Sequence, residues 1–411
     1  MHRRDFIRSL AFASGAIYLP GVNAWAASNS DPLQSQRKLI VIMLRGAVDG
    51  LSVVAPYADQ NYYRLRPTIA IARPGQDNGL IDLDGQFGMH PALRALQPWW
   101  SQGRLAFVPA SGSPDLTRSH FDAQDYLESG TPGRKATADG WLNRLVASMP
   151  GPGTPTRALS VGPVMPRILS GAASATNIAS GAAAGRATLL DRPQVGDAFA
   201  QLYRGQDKYG TLYQQAQSAH QEMRASMETE SQMADNGAPL PAGFPDDAAR
   251  LAGLFRNDPR VQFAFVALGG WDTHANQGNG SGQLANRLAP LAQGLATLAQ
   301  RLGPMFDDTT IVVMSEFGRT VRQNGNGGTD HGHGNVMWLL GGPVAGGRVH
   351  GEWPGLDEAQ LHEGRDVLVT TDFRSVLAQV ATHHLKLSDA ALARVFPDLP
   401  ARGLASKLMR V

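Results

Sequence analysis

The sequence predicts an α/β fold on a mostly parallel central sheet, and three observations carry that prediction. First, short continuous apolar runs rich in branched residues recur along the chain, as in Lys38–Leu44 and 310–314; such runs suit strands buried on both faces. Second, Leu284, Leu288, Leu291, Leu295, Leu298 and Leu302 recur at spacings of four and three, which places one apolar stripe along a helix. Third, that helix lies between two of the apolar runs. Strand, helix, strand in this order is the right-handed crossover unit of a parallel sheet. With 411 residues, 43% of them hydrophobic, the chain can bury a substantial core.

Taken in order, the chain opens on an address label. Arg3-Arg4-Asp5-Phe6-Ile7-Arg8 resembles the twin-arginine motif, and a mildly apolar stretch follows from Leu10 to Val22. Ala24-Trp25-Ala26 then supplies the small-x-small pattern of a cleavage site, so residues 1–26 are expected to be a signal peptide, with 27–37 a polar linker. One domain is expected over 38–411. Its first strand covers 38–44 and ends in the turn Arg45-Gly-Ala-Val-Asp49-Gly50. A helix is expected from His90 to Trp100 and a strand from Arg104 to Pro109. The Gly-, Ala-, Pro- and Ser-rich stretch from Met149 to Gly185 has no clear period and reads as loops. Gln206 to Met233 reads as helix and Asn236 to Asp246 as loop. Strands follow at 261–268, 310–314 and 336–340, the first two flanking the leucine-striped helix, and a last helix is expected at 372–383.

Composition excludes some classes of function. Losing residues 1–26 removes three arginines and one aspartate, so the formal net charge of +2 falls to about zero, and no basic run resembles a nucleic-acid surface. No later segment is apolar over the ~18 residues that a membrane span needs. Cysteine is absent. Disulfides therefore do not hold this fold, and any metal must be bound by His, Asp and Glu.

In open parallel sheets, ligands collect outside the carboxyl ends of the strands. Asp49, the pair Asp272 and His274, and Glu316 all follow predicted strands, and Asp330, His331 and His333 follow a glycine-rich loop after Glu316. Carboxylates and imidazoles brought together in this way can hold one or two divalent cations. Each also has a plainer reading. Asp49-Gly50 suits a turn, His274 a loop carbonyl, and Glu316 an ion pair with Arg319. His90-Pro91 reads as a helix cap, His120 as a contact to substrate, metal or its own loop, and the pair His383-His384 as surface.

Here the motifs become specific. Leu44-Arg-Gly-Ala-Val-Asp-Gly-Leu-Ser-Val-Val-Ala-Pro-Tyr57, Arg118-Ser-His-Phe-Asp-Ala-Gln-Asp-Tyr-Leu-Glu-Ser-Gly130, Gly270-Trp-Asp-Thr-His274, Ser315-Glu-Phe-Gly-Arg-Thr320 and Gly328-Thr-Asp-His-Gly-His-Gly334 resemble the DUF1501 family over nearly the whole chain after the leader. That family is in turn similar to the alkaline phosphatase and sulfatase superfamily. The resemblance implies an alkaline phosphatase-like three-layer sandwich. It places the first metal-binding Asp at Asp49, a metal loop at Asp272 and His274, an Asp-His pair at Glu316-Phe317, and a late metal-binding His at His331 or His333. The nucleophile falls within Ser113 to Gly130, with Ser119 the first choice and Thr117 the second, and Arg118 beside them to neutralise an oxyanion. Phe317 departs from the pattern, so one imidazole is missing unless His333, His120 or His90 replaces it.

The expected activity is therefore an exported, metal-dependent hydrolase of phosphate or sulfate esters. It would use one or two divalent ions (zinc, manganese, calcium or iron) and act on a small-molecule or envelope-derived ester. The twin-arginine translocase would be its partner during export, into the periplasm or the medium. The alternative is a non-catalytic cell-envelope binding or assembly protein on the same scaffold, which the Phe317 departure favours.

Overall fold

The computed structural model describes residues 37–135, 137–151, 153–181, 234–400, 404 and 406–410. The expected signal peptide, all but the last residue of the linker, and the expected helix from Gln206 to Met233 lie outside the described residues.

The run at the start of the domain forms β1 (Lys38–Leu44). It lies between β8 (Phe263–Leu268) and β9 (Thr309–Ser315), parallel to both. Beyond β8 the sheet continues in parallel through β6 (Ala158–Val161) and β7 (Thr176–Ile178). Beyond β9 comes β10 (Asn335–Gly341), antiparallel to β9 and to β5 (Leu105–Gly112). The short strands β11 (Arg348–Val349) and β12 (Thr371–Asp372) pair in parallel with β5. A small antiparallel sheet of β2 (Val54–Ala55), β4 (Gly88–Met89) and β3 (Ile81–Asp82) stands apart. The fold is α/β with a mostly parallel central sheet.

The period of two along β1 assigns its side chains to two cores. Ile40, Ile42 and Leu44 point into one apolar cluster, and Leu39, Val41 and Met43 into the other. The first cluster is covered by α3 (Gln97–Ser101), α6 (Phe244–Asn257) and α7 (Gln283–Leu302). The second is covered by α5 (Trp141–Ser148), α8 (Phe373–Gln379) and α9 (Asp389–Val395). Helices thus cover both faces of the sheet in three layers. Shorter helices α1 (Gly50–Val53) and α2 (Gln60–Leu65) follow β1, and α4 (His120–Ser129) follows β5.

The leucine stripe of α7 is buried along its whole length, each side chain contributing about 1.5–3 kcal/mol on leaving water. Gly294 lets α6 approach closely: a Cβ there would stand 2.1 Å from the Phe244 ring. Strands β8 and β9 are parallel, as the crossover pattern predicts, but β1 lies between them.

Four expectations need correction. The stretch from Met149 to Gly185 is not all loop, because β6 and β7 within it extend the sheet edge. These residues obtain their order from pairing, β6 with β8 and β7 with β6, not from a period of their own. The helix expected from His90 is split into a 3-10 turn at Pro91–Leu96 and then α3, since Pro98 cannot donate to the preceding turn. The loop expected to Asp246 ends earlier, at the start of α6. His384, expected at the surface, is buried with Nε2 3.0 Å from the Lys38 carbonyl.

Candidate metal centre

The loops after β1, β5, β8 and β9 meet at one edge of the sheet. Because β10 runs antiparallel, the loop leading into it reaches the same edge. Asp272 and His274 come from the loop after β8, His331 from the loop before β10, and His120 from the first turn of α4. Ser119 caps that helix, its hydroxyl accepting from the Asp122 N–H, and so fixes where His120 stands.

The Nε2 atoms of His120 and His331 and the Asp272 carboxylate lie within 4.8 Å of one another here, and His274 Nε2 stands beside them. His331 Nε2 is 2.9 Å from His120 Nε2 and 3.1 Å from His274 Nε2. Asp272 Oδ1 lies 3.0 Å from His274 Nε2 and 3.4 Å from His331 Nε2, and Oδ2 lies 3.7 Å from His120 Nε2. Ligand atoms around a tetrahedral ion with bonds near 2.0–2.1 Å sit about 3.3 Å apart, so the spacing fits one first-row metal ion.

The outer nitrogens decide the tautomers. His120 Nδ1 faces Glu316 Oε1 at 2.7 Å, His274 Nδ1 faces Asp330 Oδ1 at 3.2 Å, and His331 Nδ1 faces the Arg118 carbonyl at 3.0 Å. These oxygens only accept, so each Nδ1 is placed to donate, which leaves Nε2 of each ring as the atom that could ligate a metal in place of its proton. The Nε2 atoms of His120 and His331 beside the Asp272 carboxylate are a metal-ligand set, with His274 next to them.

The charges agree. Burial raises the Asp272 carboxyl, but hydrogen bonds from His120 and His331 and the Arg319 guanidinium outweigh it and hold it far below the usual range. Glu316 is wholly buried, and hydrogen bonding to His120 and the Gly46 N–H overcomes burial to lower it too. On the His120 ring, burial works downward, yet the two carboxylates push it up to about 9. Two carboxylates against one arginine leave room for one further positive charge, which a proton on His120 or a bound cation can supply.

Each residue singled out from sequence has a defined place. Asp272 and His331 meet His120 in the centre, and His274 stands beside them. Glu316 and Asp330 stand one step back, orienting His120 and His274. The Glu316 carboxylate also accepts from the Gly46 N–H at 2.7 Å and from Gln124 Nε2 at 3.1 Å. Gly46 has φ +110°, and a Cβ there would stand 2.8 Å from the Asp272 nitrogen, so glycine is required where these loops touch. Phe317 lines the centre as an apolar wall, its ring 4.8 Å from His120 and 5.2 Å from His331.

Asp49 is not in the cluster. Both of its oxygens bond to Arg66, at 2.5 and 3.0 Å, and Ser52 and Gln277 donate to it at 2.7 Å each. His333 is turned away, with Nε2 3.0 Å from the Ser113 carbonyl, and His90 caps the turn at Pro91 through the Ala92 N–H. Ser119 is exposed, and Thr117 Oγ1 accepts from its N–H at 3.2 Å. The Arg118 guanidinium pairs with Glu363 and Asp366 at 2.7 Å each.

Access is from one side. The His274 side chain is 39% exposed, against 16% for His331 and 8% for His120, so the centre opens past His274. Arg319, wholly buried, donates to the carbonyls of Gly46, Ala47 and Thr329 and to Asp272. It ties the loops after β1, β8 and β9 together beneath the centre. Sequence reading assigned Arg319 only to an ion pair with Glu316, and Arg66 and Gln277 carried no local signal at all.

No curated protein matches the chain. Among solved structures, it aligns with the C-terminal periplasmic domain of EcEptC from Escherichia coli at 11% identity and TM-score 0.40, covering 89% of this chain and 88% of that one. It aligns with the PsFucS1 sulfatase from Pseudoalteromonas sp. at 11% identity and TM-score 0.37, covering 90% and 70%. With the alkaline phosphatase from the Antarctic bacterium TAB5 it shares 12% identity at TM-score 0.31, covering 76% and 94%. A family profile described as "Protein of unknown function (DUF1501)" matches residues 36–398, and the chain belongs to that family.

Proposed function

We propose that this protein is an exported hydrolase of phosphate or sulfate esters that depends on a single divalent ion held by His120, His274, His331 and Asp272. The observation that carries this reading is the meeting of His120, His331 and Asp272 within 4.8 Å of one another, with His274 beside them and an acceptor on the outer nitrogen of each ring. Three nitrogens and one oxygen suit zinc, iron or manganese. Calcium, which takes six to eight oxygens, does not match this donor set. A second ion is not part of the proposal, because Arg66 already neutralises Asp49.

When bound, the ion would supply Lewis-acid polarisation of an ester oxygen. The chain's own residues do the rest. Glu316, Asp330 and the Arg118 carbonyl hold the three rings in the ligating tautomer, and Arg319 fixes the Asp272 carboxylate. Phe317 keeps one wall dry. Ser119 is the proposed nucleophile, with Thr117 second; the alcohol would leave with its oxygen, and water would then cleave the enzyme ester and restore the hydroxyl.

The test is elemental analysis of the full chain purified without chelator, followed by turnover of phosphate and sulfate monoesters. About one equivalent of a transition metal and turnover lost on chelation are expected. A protein that takes up no zinc, iron or manganese when offered them would be the non-catalytic envelope protein instead. Glu316→Gln should keep the inner ligands but lose the anionic partner of His120, weakening metal binding about 10–100-fold in a competition titration. An unchanged affinity would remove Glu316 from the centre.

A further inference from the structure

A second feature opens beside the centre. A cavity of about 420 Å³ is lined by Arg64, Arg322 and Arg365 together with Gln323, Asn324 and Asp330. Its volume is within the range of small-molecule sites. It shares a wall with the metal centre: Asp330 bonds to His274 Nδ1 and accepts from Asn324 Nδ2 at 3.0 Å, while Arg365 donates to the His331 carbonyl. The cavity therefore lies one residue away from two of the four ligands, close to the exposed His274.

Its arginines have donors to spare. Arg64 spends Nε and Nη2 on Asn61 Oδ1 at 3.0 and 2.6 Å, and Arg365 spends Nε and Nη2 on Asp366 and His331. Nη1 of each is without a partner among the described residues, and the Arg322 side chain has none there at all. The carboxylates lining the cavity are Asp330 and Glu358, and Asp330 is already taken up by His274 and Asn324. Three guanidiniums against two lining carboxylates, with Asp366 shared between Arg365 and Arg118, leave the cavity cationic.

We propose that this cavity is a substrate subsite for a second oxyanionic group (phosphate, sulfate or carboxylate) on the part of the ester that does not react. The proposal rests on the ester-hydrolase reading of the neighbouring centre and names its substrate class: molecules with two anionic groups, one for the metal centre and one for the arginines. Guanidinium forks match oxyanions in shape as well as charge.

The experiment is calorimetric titration of the metal-loaded full chain with butyl phosphate and with butanediol bisphosphate. Matched probes carrying a sulfate or a carboxylate at the far end identify which oxyanion the arginines prefer. The doubly anionic probes should bind at least about tenfold more tightly than butyl phosphate, the return from one charge-assisted contact. In the variant carrying Arg64→Ala and Arg322→Ala the preference should vanish with metal content unchanged. Equal binding of singly and doubly anionic probes by the wild type would overturn the subsite, as would a preference that survives in the variant. Metal content, measured on the same samples, reports on the centre separately. An arginine-dependent preference in protein that holds no metal would uphold the subsite and remove only the metal reading.

Discussion

Replacing His331 with alanine should weaken metal binding by at least about 100-fold and remove ester turnover with it. Loss of an outer partner alone costs about 10–100-fold, and His331 is an inner ligand. Its Nε2 lies between those of His120 and His274, at 2.9 and 3.1 Å, so its removal takes out the ligand that links the other two. Folding should survive, because the ring is partly exposed, Arg319 still holds Asp272, and the one backbone partner lost is the Arg118 carbonyl. His333→Ala is the informative control. The sequence offers both histidines of Asp330-His-Gly-His333, His331 first with His333 in reserve, and His333 Nε2 is turned to the Ser113 carbonyl. Metal binding within about twofold of wild type is therefore expected for His333→Ala, since no ligand atom is touched. Titration with a chromophoric chelator reads both. Equal losses in the two variants, or none in His331→Ala, would sink the proposed ligand set.

That contrast shows which parts of the molecule can be read before folding. Periodic signals survive: the leucines of α7 are read from their spacing, and the apolar run of β1 from its continuity. Strand ends survive too, so Asp272, His274 and the cluster around His331 can be placed at one edge. Edge strands do not. Ala158–Val161 pairs with β8 and Thr176–Ile178 with β6 in turn, and neither has a pattern apart from that pairing. His120 was harder still. Its position follows from the Ser119 cap, which the sequence displays, but its ligand role depends on the loop before β10 arriving 2.9 Å away. Partner choice is the least legible step of all. Nothing local in Arg66 or Gln277 marks them as partners of Asp49, 17 and 228 residues distant, so Asp49 read as a metal ligand when its charge is already met.

The Asp49–Arg66 pair accordingly carries the largest expected effect on stability. Arg66→Met should destabilise the fold by about 3–5 kcal/mol, the usual consequence of leaving a buried charge without its partner. Both side chains are fully buried, and Arg66 also donates to the carbonyls of Thr320 and Val321 at 2.9 and 2.8 Å. The sign of the pH dependence separates this cause from a simple cavity. Burial raises the Asp49 carboxyl, but Arg66 overcomes it and holds the group below its ordinary value of 3.8. In the wild type the stabilisation is present above that value and is lost as pH falls through the depressed one. Without Arg66, burial outweighs the hydrogen bonds from Ser52 and Gln277, and the folded-state pKa moves above the unfolded one. The variant then gains relative stability as Asp49 protonates, so its deficit should be smaller near about pH 5 than near about pH 7 in urea denaturation. A deficit independent of pH would mean that lost packing, not charge, is responsible. Adding Asp49→Asn to Arg66→Met should recover part of the loss by removing the stranded charge. Asp49→Asn alone should leave metal content untouched, because its carboxylate is bonded to Arg66, Ser52 and Gln277 and takes no part in the histidine cluster. Loss of metal from that variant would make Asp49 a ligand after all and restore the two-ion arrangement.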